Sequence, residues 1–183
     1  KEMLFLIPIE HRKTFVHALV TSKLDYANSL YLGLPLGLIC CRQSIQNAAA
    51  HLVLKLPVRQ LISSHLRALN WLPVAKLIQF KALVFAFTAY SSKGTLYMRS
   101  HFRPSVQSQS LRSNNQKPFK LSSFFRTRSG GWSFSYLVAK MWNLLPLSLK
   151  CCPSDSIFRS KTKIFLFDSC IPLPRLPFFF LFE

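Results

Sequence analysis

The sequence predicts a mainly α-helical protein: a small irregular helical bundle with a long basic insert that we expect to be disordered. Apolar residues recur at three- and four-residue steps in several segments, which is typical of amphipathic helices. Proline and glycine stand at the ends of those segments rather than inside them. One long polar stretch lacks this period. Half of the 183 residues are hydrophobic, so the chain can bury a sizeable core.

The first predicted helix follows a poorly defined lead-in over residues 1–13. Apolar periodicity extends from Thr14 to Tyr31, and Gly33 and Pro35 end it. The predicted apolar stripe of this helix consists of Phe15, Leu19, Leu24, Leu30 and Tyr31, with Val16, Val20 and Asn28 alongside.

Three more helices complete a helical region over residues 14–90. A second helix is predicted over Leu36–Leu56, with Pro57 as its stop, and its three consecutive alanines permit a neighbouring helix to approach closely. Its expected apolar stripe is Leu38, Ile45, Ala49, Leu52 and Leu56. A short third helix is predicted over Gln60–Leu69. The fourth and most apolar, Val74–Tyr90, should be largely buried.

Residues 91–131 form the predicted basic, polar insert, which we interpret as a long loop or a disordered segment. Four phenylalanines are interleaved with its cations: Phe102, Phe119, Phe124 and Phe125. Two interpretations remain open for these rings. They could stack on unpaired bases, or they could anchor the insert to the core.

Two further helices are predicted over residues 132–167, before a tail. One covers Trp132–Leu145, and the other runs to Phe167 from a cap at Ser154 or Asp155. In the last helix the cations are expected to face away from Ile157, Ile164 and Phe165. The tail, 168–183, is predicted to be unstructured and rich in proline and phenylalanine, because its prolines are incompatible with a helix.

The charge of the chain is strongly unbalanced. It has 24 Lys and Arg against 6 Asp and Glu, a net charge of +18, and no acidic residue lies between Tyr26 and Ser154. Such a field attracts polyanions, either nucleic acid or anionic lipid. Together with the family resemblance described below, this charge favours RNA or single-stranded DNA as the partner. The alternative is a basic surface that was selected for no function.

The candidate binding residues are cations of the helical region and the insert. They are Arg42, Arg59, Arg67, Lys76, Lys81, Arg112, Lys120, Arg126 and Arg128. We predict no enzymatic activity, because no two of the six acidic residues are adjacent and two-metal chemistry needs clustered carboxylates. No cofactor and no small-molecule substrate are expected.

The five cysteines lack the paired spacing of a zinc site, so no metal site is predicted. Their odd number, without a convincing signal peptide, indicates reduced thiols and an intracellular location, in the nucleus or the cytoplasm. No apolar run reaches the roughly 18 residues of a membrane helix, so no membrane association is expected. Because the sequence starts at Lys1, we expect it to be a fragment of something longer.

A series of short phrases in a fixed order resembles the C-terminal region of LINE-type (non-LTR) retrotransposon polyproteins, the part that follows the reverse-transcriptase palm. The phrases include LDYANSLYLGLP, SIQNAAAHLV, LNWLPV, IQFKALVFAF, SLRS, FSYLVAKMWNLLP and FRSKTKIFLF. The resemblance covers roughly Phe15 to Phe167. The aspartate pair of the polymerase is absent, and the tail has no counterpart in the family.

This resemblance implies a non-catalytic end of an RNA-directed DNA polymerase polyprotein that helps to grip template RNA or the target junction. The remainder of the polyprotein is then an expected partner. Trp71 and Trp142 stand where the family pattern carries tryptophan, and we interpret both as core residues. Two alternatives remain: a translated remnant of a decayed retrotransposon without selected activity, or a domesticated protein-interaction module.

Overall fold

A computed structural model describes residues 7–57, 60, 62–91, 94–102, 118–121 and 133–168. Within these ranges the regular elements are helices and there is no β-strand, which confirms the mainly α-helical prediction. The chain divides into two compact units. Unit 1 comprises Lys1–Asn28 and Leu34–Leu77, and unit 2 comprises Ser29–Gly33 and Ile78–Glu183.

Unit 1 begins with a continuous helical run made of α1 (Ile9–Val16), a π-helical segment (His17–Thr21) and α2 (Ser22–Asp25). The run starts at Ile9, inside the predicted lead-in, because Pro8 forms the N-cap and its carbonyl accepts a hydrogen bond from the Arg12 N–H at 3.1 Å. Residues 1–6 of the lead-in lie outside the described residues. The run ends well before the predicted Tyr31, since Ala27 adopts a left-handed conformation with φ 49°.

Helix α3 (Leu36–Leu54) starts where the sequence predicts. It ends before Pro57 because Lys55 takes a left-handed conformation with φ 56°, and the Leu56 N–H then donates to the His51 carbonyl at 3.2 Å. This is a common helix ending, in which a reversed residue satisfies the last free carbonyls. Helix α4 (Ser63–Ala68) is shorter than predicted.

The core of unit 1 forms where α1 contacts α3. Val16 packs against Ala49 and Val53, and the Arg12 guanidinium donates to the Leu52 carbonyl at 3.1 Å. The start of α1 therefore lies beside the end of α3, so the two helices are antiparallel. A second cluster combines Ala50, Ile62 and Leu66, and the partly buried side chains packed against it are Leu56, Leu69 and Trp71.

Two glutamines of α3 hold the turn that precedes the next helix. The Gln46 amide donates to the Leu72 carbonyl at 2.8 Å, and the Val74 N–H donates to Gln43 Oε1 at 2.8 Å. Gln46 is buried, so its polar atoms need partners inside the protein. These bonds attach the Trp71 turn to α3.

The predicted apolar stripes of the first two helices are confirmed at Leu24 and Ala49, which are buried, and are wrong at several other positions. Phe15, Leu19, Leu38, Ile45 and Leu52 are all exposed. In the chain, a buried residue directly follows four of them: Val16 follows Phe15, and Ile39, Gln46 and Val53 follow the three exposed residues of α3. Leu19 lies in the π-helical segment, and Val20 after it is partly buried. Both helices carry apolar residues on two adjoining faces, and periodicity alone does not tell which face meets the neighbouring helix.

Unit 2 contains α5 from Ile78 onward, α6 (Leu96–His101), α7 (Phe134–Asn143), α8 (Leu147–Lys150) and α9 (Asp155–Asp168). Helix α5 as a whole covers Val74–Tyr90, as predicted, and the boundary between the units falls within it. Helix α6 lies in the segment predicted as a loop. It forms there because the Thr95 hydroxyl caps it by accepting from the Met98 N–H at 3.4 Å.

The core of unit 2 is aromatic. Trp142 is fully buried, and its ring lies 5.7 Å from Tyr90, 5.2 Å from Phe119 and 6.2 Å from Phe158, between centroids. Phe87 stacks on Phe158 at 4.2 Å. Such ring pairs add to the stabilisation that comes from buried area.

Helix α9 contributes Phe158, Thr162 and Leu166 to the buried side. The predicted apolar face is therefore wrong, because Ile157 and Ile164 are exposed. The aromatic core accepts the face that carries the phenylalanine ring at position 158, which stacks on Phe87.

Candidate nucleic-acid interface

The structure describes five of the nine predicted binding cations. In unit 1, Arg67 is exposed on α4, while Arg42 on α3 and Lys76 on α5 are half-buried. In unit 2, Lys81 is half-buried on α5 and Lys120 is exposed. The remaining four lie outside the described residues: Arg59, Arg112, Arg126 and Arg128.

An open groove of about 430 Å³ lies on the surface of unit 1, beside α1. The helical run supplies one wall, and α4 with the turn that follows it supplies the other. Its lining residues are Lys13, Thr14, His17, Ala18, Ala68, Leu69 and Trp71. The predicted binding residue Arg67 directly precedes Ala68, so one predicted cation borders the groove in sequence.

Trp71 holds a fixed position at this groove. It packs against the cluster of Val16, Ala49 and Val53 and is half-buried, while it also lines the groove. The preceding segment is rigid, since the Trp71 N–H donates to the Leu66 carbonyl at 2.8 Å. A partly exposed aromatic side chain of this kind is one on which an unpaired base can stack.

The polar wall of the groove carries a cation that is weakly engaged. Lys13 Nζ lies 3.0 Å from Glu10 Oε1, and both side chains are largely exposed. Exposed ion pairs of this kind contribute little, so a phosphate can compete for the ammonium group. Thr14 donates its hydroxyl hydrogen to the Glu10 carbonyl at 3.0 Å, which leaves its oxygen able to accept.

The sequence prediction missed this groove. Lys13 lies in the predicted lead-in, and Thr14 and His17 were not predicted as binding residues. Trp71 was predicted as a core residue, and it does pack against both clusters of unit 1. A signal was available, because Lys13, Thr14, His17 and Ala18 recur on one flank of a helix. The exposure of Trp71 depends on where α4 ends, and no local pattern in the sequence predicts this.

In unit 2, the basic segment is anchored at Phe119. The Phe119 N–H donates to Asn143 Oδ1 at 2.9 Å, and Asn143 Nδ2 donates to the Phe119 carbonyl at 3.1 Å. Phe102 and Phe119 are 5% and 2% exposed and contact each other. The anchoring interpretation is therefore right for these two rings and the base-stacking one is wrong. Phe124 and Phe125 lie outside the described residues.

The cations of unit 2 differ in their surroundings. Lys120 is exposed, one position after the anchored Phe119. Lys150 is buried and donates from Nζ to the Asn143 carbonyl at 3.2 Å, near the end of α7. Burial lowers the pKa of Lys150, and burial also lowers the pKa of Lys163. Lys150 thus serves α7 as a structural cap.

Among the residues that the structure covers, no three His, Cys, Asp or Glu side chains come together as metal ligands would. Two of the acidic residues form ion pairs with neighbouring cations, Glu10 with Lys13 and Asp155 with Arg159 at 2.6 Å. Searching the described helices for a membrane span finds none that is sufficiently long and apolar.

A scan against protein-family models finds no match to this chain, and searches of curated proteins and of solved structures find no similar protein.

Proposed function

We propose that this chain is a non-catalytic segment that binds RNA or single-stranded DNA, the C-terminal part of a LINE-type reverse-transcriptase polyprotein. One structural observation supports the binding role above the others. In unit 1, Trp71 lines the same groove as Lys13, Thr14 and His17. The phrases that resemble the LINE family support the parentage.

The groove suits one or two nucleotides of a single strand. Stacking of a base on an aromatic ring contributes about 1–3 kcal/mol and depends little on the base. The Lys13 ammonium and the His17 imidazole can donate to the phosphates that flank such a base. The net charge of +18 raises the local concentration of the polyanion. The expected ligand is thus an unpaired strand, without strong sequence preference.

The proposal includes no chemical step. The six acidic residues are dispersed along the sequence, whereas nucleotidyl transfer needs carboxylates that hold two metal ions. Catalysis would belong to the remainder of the polyprotein, which is the partner expected in a full-length protein. Function on RNA inside a cell places the protein in the nucleus or the cytoplasm.

The test is binding of the purified full chain to a fluorescein-labelled oligouridine of about 16 nucleotides. Fluorescence anisotropy is measured from about 50 to 300 mM KCl, where log affinity should fall linearly with log salt. Lys13→Gln should weaken binding and reduce the salt slope by about one. Trp71→Leu, which keeps an apolar side chain on the cluster, should weaken binding at least about fivefold.

Lys140→Gln is the matched control, because it removes the same charge from an exposed site in unit 2. It should change the affinity less than about twofold. Equal losses for Lys13→Gln and Lys140→Gln, with no effect of Trp71→Leu, would show that only bulk charge attracts the oligonucleotide. Circular dichroism of each variant verifies that the helices remain.

A further inference from the structure

Two side chains in the groove of unit 1 can carry a positive charge, Lys13 and His17. They are four residues apart in one helical run. The His17 N–H donates to the Lys13 carbonyl, as in a regular α-helical turn. Side chains with this spacing lie on the same flank of a helix, with about 5–6 Å between their Cβ atoms. One phosphate of a bound strand can therefore contact both.

The two side chains respond differently to acidity. A lysine side chain in water keeps its charge near neutral pH, whereas a histidine changes its charge there. The neutral imidazole donates from one ring nitrogen only, and the imidazolium donates from both and carries a positive charge. Because a phosphate favours the charged form, a bound strand and the proton on the ring stabilise each other.

The opposite wall of the groove carries no group that would compete for this charge. It is lined by Ala68, Leu69 and Trp71, and none of these side chains titrates. The titratable residues of α4 are His65 and Arg67, and neither lines the groove. A histidine charge is therefore not neutralised from this wall.

Helix α3 packs against the π-helical segment that begins at His17. Arg12 contacts Leu52, and Val16 packs on Ala49, so the antiparallel α3 lies beside this segment with its residues 43–50. That stretch contains only glutamine, serine, isoleucine, asparagine and alanine. No titratable side chain of α3 thus lies beside the segment.

The acidic residues of the helical run are Glu10 and Asp25. Glu10 pairs with Lys13 at 3.0 Å, and Asp25 follows His17 by eight positions. The charged group next to His17 on its own flank is therefore the ammonium of Lys13. Two neighbouring cations repel each other, and an anion bound between them removes that repulsion.

We propose that His17 makes strand binding in this groove depend on pH: the imidazolium holds one phosphate together with Lys13, and the neutral imidazole holds it less tightly. This inference rests on the proposed function, because it concerns the regulation of the same groove. Affinity is highest on the acidic side of neutral pH and falls as the pH rises through the range in which histidine loses its proton.

The test measures binding of the full chain to an oligouridine of about 16 nucleotides. The oligonucleotide has no terminal phosphate and carries a rhodamine label, so that neither strand nor label titrates near neutral pH. Anisotropy at constant ionic strength gives the affinity from about pH 5.5 to 8. The unmodified chain should bind about tenfold tighter at the acidic end than at the alkaline end.

His17→Gln should reduce this ratio to about twofold, the part that comes from charging the other histidines of the chain. His11→Gln is the matched control, because His11 is exposed on the same helix and does not line the groove. It should keep the ratio of the unmodified chain. His17→Arg keeps its charge and should bind at about pH 8 as tightly as the unmodified chain does at about pH 5.5. Circular dichroism at each pH verifies that the helices remain.

Equal pH dependence in His17→Gln and His11→Gln would overturn the inference, because protonation elsewhere would then cause the effect. An affinity of the unmodified chain that stays constant with pH, and that Trp71→Leu still weakens, would overturn it and leave the proposed function standing. Absence of oligouridine binding at every pH would reject the proposed function and this inference together.

Discussion

The two units of the chain bury their cores with side chains of different sizes. In unit 1, α1 and α3 meet through Val16, Ala49 and Val53, and a second contact centres on Ala50. In unit 2, helices surround the rings of Trp142 and Phe158. Small contacts let helix backbones approach closely, whereas large rings separate the helices and fill the space between them.

This difference determines which apolar residues remain outside. Unit 2 buries two pairs of phenylalanines in contact, Phe87 with Phe158 and Phe102 with Phe119. Unit 1 buries aliphatic side chains, such as Ala50, Val53 and Leu66, and leaves Phe15 exposed, although phenylalanine gains more from burial. A helix with two apolar faces thus does not bury the face with the larger side chains by default.

The largest expected effect is the loss of the central ring of unit 2. Trp142→Ala should lower the free energy of unfolding by about 3–5 kcal/mol, because it removes a fully buried ring with three aromatic neighbours. Urea unfolding followed by circular dichroism measures it. Leu144→Ala, at an exposed position nearby, should cost less than about 0.5 kcal/mol. Similar losses for both would contradict an aromatic core.

The anchor of the basic segment is the next target. Asn143→Ala should cost about 2–3 kcal/mol, because both the N–H and the carbonyl of Phe119 lose their bonds to this side chain. Asn143→Asp keeps the side-chain acceptor and loses the donor. Its free energy of unfolding should therefore lie between those of the wild-type protein and the alanine variant. Limited proteolysis should cleave the alanine variant faster near residues 118–121. Unchanged cleavage would mean that the ring of Phe119 alone holds the segment.

Enlarging a buried alanine of unit 1 should destabilise the protein. Ala50→Leu should cost about 1–3 kcal/mol, because Ala50 is fully buried against Ile62 and Leu66 and the added carbons have no space. Ala48→Leu makes the same change at an exposed position of the same helix and should be nearly neutral. Urea unfolding of the pair compares them. An equal loss of stability at both positions would indicate an effect on helix formation rather than on core packing.

The smallest expected effect is the pH dependence from Lys150. Burial lowers its folded-state pKa below 10.5, so the unfolded chain binds more protons in the interval between the two values. Stability should therefore rise with pH in that interval, as the folded lysine loses its charge. Lys150→Met should remove this rise. Urea midpoints of both proteins from about pH 7 to 10.5 give the difference, and a constant difference would contradict the prediction.

Local patterns predicted most helices and failed at specific points. Helix α5 was predicted over Val74–Tyr90 because its apolar residues cover every face and Pro73 opens it. The start of α3 after Pro35 follows the same logic. The break at Ala27 and the end at Lys55 depend on single left-handed residues that carry no glycine signal. Helix α6 was missed because its N-cap threonine lies in a polar segment.

The candidate site was less predictable than the fold. Arg67 is an exposed predicted cation that adjoins a groove residue only in sequence, while Lys13, Thr14, His17 and Trp71 were not predicted as one site. A groove is made by two segments distant in sequence, and neither segment has a motif for it. The four predicted cations Arg59, Arg112, Arg126 and Arg128 remain predictions.

The sequence by itself determined the helical class, the positions of most helices and the basic character of the chain, because propensity, proline placement and charge are local properties. The tertiary structure decided which faces of α1, α3 and α9 are buried, where Phe119 is anchored and where a groove opens beside Trp71. Those outcomes depend on how closely two helices approach. That distance is set by the side chains of both helices together, at positions far apart in the chain.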